Sequence, residues 1–178
     1  MEKKDKIRQV ILAFGIGLIL IGIDLLIKFI ANSGLEYNIL KDTFLPFLKL
    51  YLTHNEGYHY IFGRIPNNRL WSIGGLIFIT IILGFMVRSL IKDNLSKWDR
   101  MFYLTLITLV VGATGNVWEI IFTGKATDYF IFKPFPWPSN LCDQYINAIQ
   151  FIMLPLFIIR TLVLQRRKPP KSPMKIEK

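Results

Sequence analysis

Val10-Ile-Leu-Ala-Phe-Gly-Ile-Gly-Leu-Ile-Leu-Ile-Gly-Ile-Asp24-Leu-Leu-Ile-Lys28-Phe-Ile-Ala31 decides the fold. A bilayer core takes about 20 apolar residues of helix, and this run supplies them with only Asp24 and Lys28 as interruptions. Three further runs have the same character: 70–91, 101–122 and 141–164. Each is bounded or entered by charges such as Arg69, Glu119, Asp143 and Arg160. The expected fold is an α-helical polytopic membrane protein: four transmembrane helices (10–31, 70–91, 101–122, 141–164) with a small extracytoplasmic β-like cradle. Residues 1–165 read as a single membrane domain and 166–178 as a basic cytoplasmic tail. The first run is too long for a signal-peptide core, carries an Asp and a Lys, and lacks a clear small-residue cleavage site, so it reads as a retained helix.

Composition agrees. The chain of 178 residues is 52% hydrophobic, 14% aromatic and 19% charged, unlike a disordered chain or an ordinary soluble domain. One Cys excludes an intrachain disulfide framework and a Cys-rich zinc site. The net charge of +10 is distributed by topology. Lys and Arg number 4 before the first span, 4 from Arg88 at the end of the second span to Arg100, and 7 from Arg160 onward. The outer loop 32–69 holds 4, and the stretch between the third and fourth spans holds 2. The positive-inside rule therefore places both termini in the cytoplasm. The basic tail reads as a topology anchor on anionic lipid, and no aromatic or Gly pattern accompanies it to suggest nucleic acid.

The loop 32–69 has β-like runs such as Phe47-Leu-Lys-Leu-Tyr-Leu-Thr53. In the stretch 123–140, Pro134, Pro136 and Pro138 deny a helix, so it reads as an extended interfacial segment.

Ionisable groups at membrane depth are costly and point to function. Asp24 and Lys28, Asn116 and Glu119, Asp128, and Asn140, Asp143, Gln144 and Asn147 all fall at the outer level, while the inner halves are nearly free of polar groups. A proton-coupled transporter would need polar residues continuing inward. Plain structural readings also exist. Asp24 and Lys28, spaced i,i+4, form an ion pair. Asn116 joins helices that pack closely at Gly112 and Gly115. Glu119 is solvated at the interface, Asp143 is a helix-start carboxylate, and Asp128 is a loop residue. His54 and His59 lack a metal-site spacing and face solvent or headgroups. Cys142 is a packing residue. Asp128 and Asp143 flank a turn-rich loop that returns the chain to one side. Two carboxyls sharing a site divide into an acid and a base, the state needed to hydrolyse an amide.

In order along the chain, the motifs resemble those of the lipoprotein signal peptidase (signal peptidase II) family. Asp24-Leu-Leu-Ile-Lys28 is similar to the family's D-x-x-x-K, Asn55-Glu-Gly57 to N-x-G, and Gly112-Ala-Thr-Gly115-Asn116 to G-A-x-G-N. Thr127-Asp128-Tyr129 is similar to V-D-F, and Asn140-Leu-Cys-Asp143 to N-x-A-D. The resemblance implies an aspartyl endopeptidase of the bacterial cytoplasmic (inner) membrane that removes signal peptides from diacylglyceryl-modified prolipoproteins, with no cofactor and no metal. Asp128 and Asp143 would be catalytic. Asn55, Gly57, Asn116, Glu119 and Asn140 would bind substrate or support the pair, and Asp24 and Lys28 would be structural. The expected partners are the lipid-modified substrate and membrane lipid, with no nucleic acid, and the expected state is a monomer. Three departures stand out. Glu119-Ile120 replaces the family's D-R, Tyr58-His59-Tyr60 follows Gly57, and Cys142 replaces a small Ala. They leave a second possibility, a non-cleaving paralogue that binds lipidated peptides.

Overall fold

The computed structural model describes residues 2–56, 58–59, 63–64, 68–92, 94–133 and 135–166. Gly57, Pro134 and nearly all of the 166–178 tail lie outside them. Four long apolar helical segments have the length and composition to cross a membrane: Lys3–Gly34, Asn68–Lys92, Lys97–Thr123 and Leu141–Val163. The first two are single helices, α1 (Lys3–Gly34) and α2 (Asn68–Lys92). At 1.5 Å per residue the 32 residues of α1 run about 48 Å. That exceeds a hydrocarbon core of about 30 Å, so α1 begins well before residue 10 and its ends clear the apolar layer.

The third and fourth segments are not single α-helices. The third divides into α3 (Lys97–Ala113) and α4 (Gly115–Thr123) at Thr114, whose hydroxyl and backbone N–H both donate to Val111 O, at 2.7 and 3.0 Å. The break falls where the chain must pass close to the fourth segment. A Cβ on Gly115 would lie 2.6 Å from Cys142 Sγ, so only glycine fits. The fourth comprises α5 (Leu141–Ala148), a π-helical turn (Ile149–Met153) and α6 (Leu154–Arg166). Pro155 is the sequence cause: it has no N–H, and its ring collides with the carbonyl four residues earlier. The wider turn, with Leu154 N–H donating to Ile149 O, accommodates it.

The helices meet along small residues. A Cβ on Gly17 would come within 2.6 Å of Val111 Cβ, so α1 and α3 approach at backbone distance. Around that contact lies an apolar core of Val10, Ala13, Leu83, Met86, Leu90, Ile107 and Val111. At the end of the bundle that holds residues 96–99 and 160, Arg160 donates to Asp99 at 2.7 Å and lies 4.3 Å from the Trp98 ring centroid, tying α6 to the start of α3.

At the opposite end a four-stranded antiparallel sheet forms in the order β1 (Leu40–Asp42), β2 (Leu48–Asn55), β5 (Ala126–Phe132), β6 (Pro138–Ser139). A separate hairpin pairs β3 (Tyr58–His59) with β4 (Gly63–Arg64). The β-like run expected around residues 47–53 is β2. The stretch expected to be extended and interfacial becomes the strand that pairs with it, Leu48 opposite Phe132 and Thr53 opposite Asp128. Ala31, Leu52, Tyr129 and Phe130 form a second core that seats the sheet on the end of α1. Residues 126–130 are all buried, so β5 is covered on both faces.

Candidate active site

Asp128 lies on β5, 6% exposed, and Asp143 on the first turn of α5, partly buried. Between them stands Asn140, fully buried, and it contacts both. Its Nδ2 donates to Asp128 Oδ1 at 2.7 Å, and its backbone N–H donates to Asp143 Oδ2 at 3.0 Å. The local reason is a capping box. Asn140 is the N-cap of α5, with Oδ1 accepting from the Asp143 backbone N–H at 3.1 Å while the Asp143 side chain reaches back to Asn140. The cap fixes the Asp143 carboxylate and leaves the Asn140 amide free to donate outward, to Asp128 and to Thr127 O at 3.2 Å.

Asn116, on α4, joins from the other side. Its Nδ2 donates to Asp143 Oδ1 at 2.9 Å and to Asn140 Oδ1 at 3.1 Å. Its Oδ1 accepts from Lys28 Nζ at 2.6 Å. An ammonium only donates, so Lys28 fixes which way the Asn116 amide faces. Lys28 also lies 2.7 Å from Asp24 Oδ2 and 2.7 Å from Glu119 Oε2. The i,i+4 ion pair expected within α1 is present, but it is half of a larger arrangement.

Asp24 does more than balance Lys28. It is 0% exposed, and its carboxylate accepts from the Tyr129 hydroxyl at 3.2 Å, the Leu141 backbone N–H at 3.1 Å and Cys142 Sγ at 3.2 Å. Tyr129 follows Asp128, and Leu141 and Cys142 precede Asp143. One buried carboxylate on α1 therefore holds both segments that carry the candidate pair. Thr127 and Tyr129 add contacts that the sequence did not single out. Glu119 Oε1 accepts from the Thr127 backbone N–H at 3.0 Å and from its hydroxyl at 2.6 Å, clamping α4 to the start of β5. The signal for both was available: hydroxyl residues flanking Asp128 in an otherwise apolar strand. Glu119 is thus paired and bound, not merely solvated. His54 is also engaged, contrary to its plain reading: Lys125 Nζ donates to Nδ1 at 2.9 Å, and Nε2 donates to Asn32 Oδ1 at 3.0 Å. Burial and the Lys125 charge lower its pKa.

Asn55 ends β2 opposite Ala126, on the rim two residues along from the Asp128 pairing. Cys142 is fully buried, as a packing residue would be, and no group of three or more His, Cys, Asp or Glu among the described residues is arranged to hold a metal.

Burial is the largest cause pushing the Asp128 carboxyl up to about 7, with the Asp143 charge adding to it and Glu119 contributing less. The Asn140 hydrogen bond and Lys28 pull the other way. A carboxyl poised near neutrality beside a second carboxylate is equipped for proton transfer. Oδ1 of Asp128 accepts from Asn140 Nδ2.

A family model described as signal peptidase (SPase) II matches residues 16–160. A lipoprotein signal peptidase of Vibrio cholerae is 31% identical over 129 residues, covering 69% of this chain and 72% of that protein. One from Brucella ovis is 33% identical over 129 residues, covering 70% and 76%. A solved structure of a bacterial membrane enzyme is similar with a TM-score of 0.64 at 22% identity, over 90% of this chain and 93% of that one. A second such structure gives 0.62 at 22%, over 84% and 92%.

Proposed function

Because the chain belongs to the signal peptidase II family, we propose that it is a multi-pass inner-membrane aspartyl endopeptidase. It removes signal peptides from diacylglyceryl-modified prolipoproteins, with Asp128 and Asp143 as the catalytic pair. The observation that carries this reading is the single buried residue, Asn140, that donates to both carboxyls. Both termini lie in the cytoplasm and the site faces outward, following the distribution of Lys and Arg.

In the reaction, Asp128 begins protonated and Asp143 ionised. Asp143 takes a proton from a water as its oxygen attacks the scissile carbonyl. Asp128 gives its proton to the leaving nitrogen as the C–N bond breaks. The proton gained by Asp143 then returns to Asp128, restoring the starting state. Asn116 and Asn140 hold the two carboxyls in register. Lys28 orients Asn116, and Glu119 and Asp24 anchor the strand and helix beneath them. An interfacial site suits a substrate whose acyl chains stay in lipid while its amide meets water. A non-cleaving binder of lipidated peptides would have no use for two carboxyls tied through one amide, and no observation favours it.

The test is cleavage of a diacylglyceryl-modified prolipoprotein by the purified protein. Asp128→Asn and Asp143→Asn each abolish it at normal membrane level, since general acid–base steps contribute roughly 10²–10⁴-fold each. The double variant is little worse, because the pair acts as a unit. Glu119→Gln costs far less. Near-normal cleavage by Asp143→Asn together with a dead Glu119→Gln would reassign the pair to Asp128 and Glu119.

A further inference from the structure

The end of the sheet away from Asp128 has no role in the chemistry above, yet among the described residues it carries a dense group of exposed aromatic rings. Two turns lie side by side there, one at residues 43–47 and one that includes Lys133 and residues 135–137, joined by the Lys133 backbone N–H donating to Phe47 O at 2.8 Å. Together with the last residue of β5 they carry five exposed rings: Phe44 at 93%, Phe47 at 43%, Phe132 at 40%, Phe135 at 49% and Trp137 at 44%. The rings group in pairs, Phe47 with Phe132 at 5.4 Å between centroids and Phe135 with Trp137 at 5.6 Å. Lys133 stands exposed among them. Phe132 lies four positions along the strand from Asp128, about 13 Å at 3.3 Å per residue.

An aromatic patch of this density is costly in water and marks a contact surface. Its position names the contact. The sheet is seated on the end of α1 through Ala31, and the same helical turns present Phe29 at 70% and Ile30 at 58% exposure to the surroundings. The lipid-facing wall of the bundle therefore continues to the level of the sheet. Aromatic rings with a lysine are the chemistry of the membrane–water boundary, where rings settle at headgroup depth and the ammonium meets anionic lipid.

We propose that the paired turns form a wedge that dips into the leaflet on the site's side, with Phe44 leading and Lys133 against anionic headgroups. The sheet is then held at both ends, by α1 at one and by lipid at the other. Asp128 keeps a fixed height above the bilayer even though β5 lies outside the helices. This inference does not depend on the catalytic reading.

Phe44, almost wholly exposed, tolerates replacement, and Cys142 is fully buried and so does not react with a thiol label. A nitroxide is attached to Phe44→Cys in the full-length protein, reconstituted in vesicles of phosphatidylcholine with phosphatidylglycerol. Its spin relaxation is then expected to respond to oxygen, which concentrates in lipid, and little to a water-soluble nickel chelate. In a second variant, with Trp71, Trp98 and Trp118→Phe, the remaining Trp137 is expected to be quenched most by lipids brominated close to the headgroup, since interfacial groups sit about 5–10 Å into that boundary. Brominated phosphatidylglycerol is expected to quench it more than brominated phosphatidylcholine, with the difference lost in Lys133→Gln. A label dominated by nickel, or a Trp137 open to aqueous acrylamide and indifferent to bromolipid, overturns the wedge. Equal quenching by the two headgroups overturns the role given to Lys133.

Discussion

Replacing Asn140 by Ser separates the two duties that this residue combines. Serine is as good an N-cap as asparagine, so α5 and the placement of Asp143 persist. The backbone N–H to Asp143 Oδ2 at 3.0 Å is also untouched. What is lost is the amide donor to Asp128 Oδ1 at 2.7 Å, the weaker one to Thr127 O at 3.2 Å and the Asn116 contact at 3.1 Å. A hydrogen bond to a charged group is worth about 1.5–3 kcal/mol, and each 1.4 kcal/mol is tenfold in rate. Cleavage of the lipidated substrate should therefore fall roughly 10- to 150-fold. Stability in detergent should fall by only about 1–3 kcal/mol. The pH profile carries a second, independent sign. The Asn140 hydrogen bond holds the Asp128 carboxyl below where burial and Asp143 would push it, so removing that bond moves the carboxyl above about 7. The shared proton is then kept to higher pH, and the alkaline limb of the rate profile moves upward. The assay is the pH dependence of kcat on the modified prolipoprotein, alongside the amount of folded protein in the membrane. A variant with the wild-type rate and an unmoved alkaline limb would refute the role of Asn140 as the bridge. A loss of activity fully explained by loss of folded protein would refute it too.

Four further outcomes follow. Asp24→Ala leaves Lys28 short of a partner and removes the acceptor for Tyr129, Leu141 and Cys142. Folded yield should drop sharply, and adding Lys28→Met should recover only part of it; full recovery would reduce Asp24 to an ion-pair partner. Tyr129→Phe, which removes one hydroxyl and keeps the ring, should cost about 1–2 kcal/mol in thermal denaturation. The Asp128 carboxyl is raised from 3.8 to about 7, so its protonated form is favoured by folding. That contribution is complete below the ordinary carboxylate range and is lost as pH rises through about 7. The melting temperature should decline between about pH 4 and about pH 7, and Asp128→Asn should flatten the decline; an unchanged slope in that variant would place the titration elsewhere. A reporter fused after Lys178 should read as cytoplasmic, and a periplasmic signal would invert the orientation and put the site on the wrong side of the membrane.

What the linear chain determines here is set by period and solvent. The four apolar runs follow from the cost of exposing polar backbone to lipid, and all four are helical, two of them with a break. The level of the site was legible for the same reason: Asp24, Asn116, Glu119 and Asp143 stand out because lipid penalises them. Asp143 was readable as a helix-start carboxylate, and that Asn140 caps the same helix came only with the structure. The breaks within two of the spans were marked only by Thr114-Gly115 and Pro155, residues with several possible outcomes. The tertiary structure alone decides who meets whom. Asp128 lies on a strand buried on both faces, so no alternation marks it, and its partner strand ends 71 residues before β5 begins, with Asn55 opposite Ala126. The Asp24–Lys28 spacing predicts a pair but not that one carboxylate will also receive Tyr129, Leu141 and Cys142. Such convergence depends on how α1, β5 and α5 are stacked, and stacking is fixed by packing between distant segments, which leaves no periodic trace in any one of them.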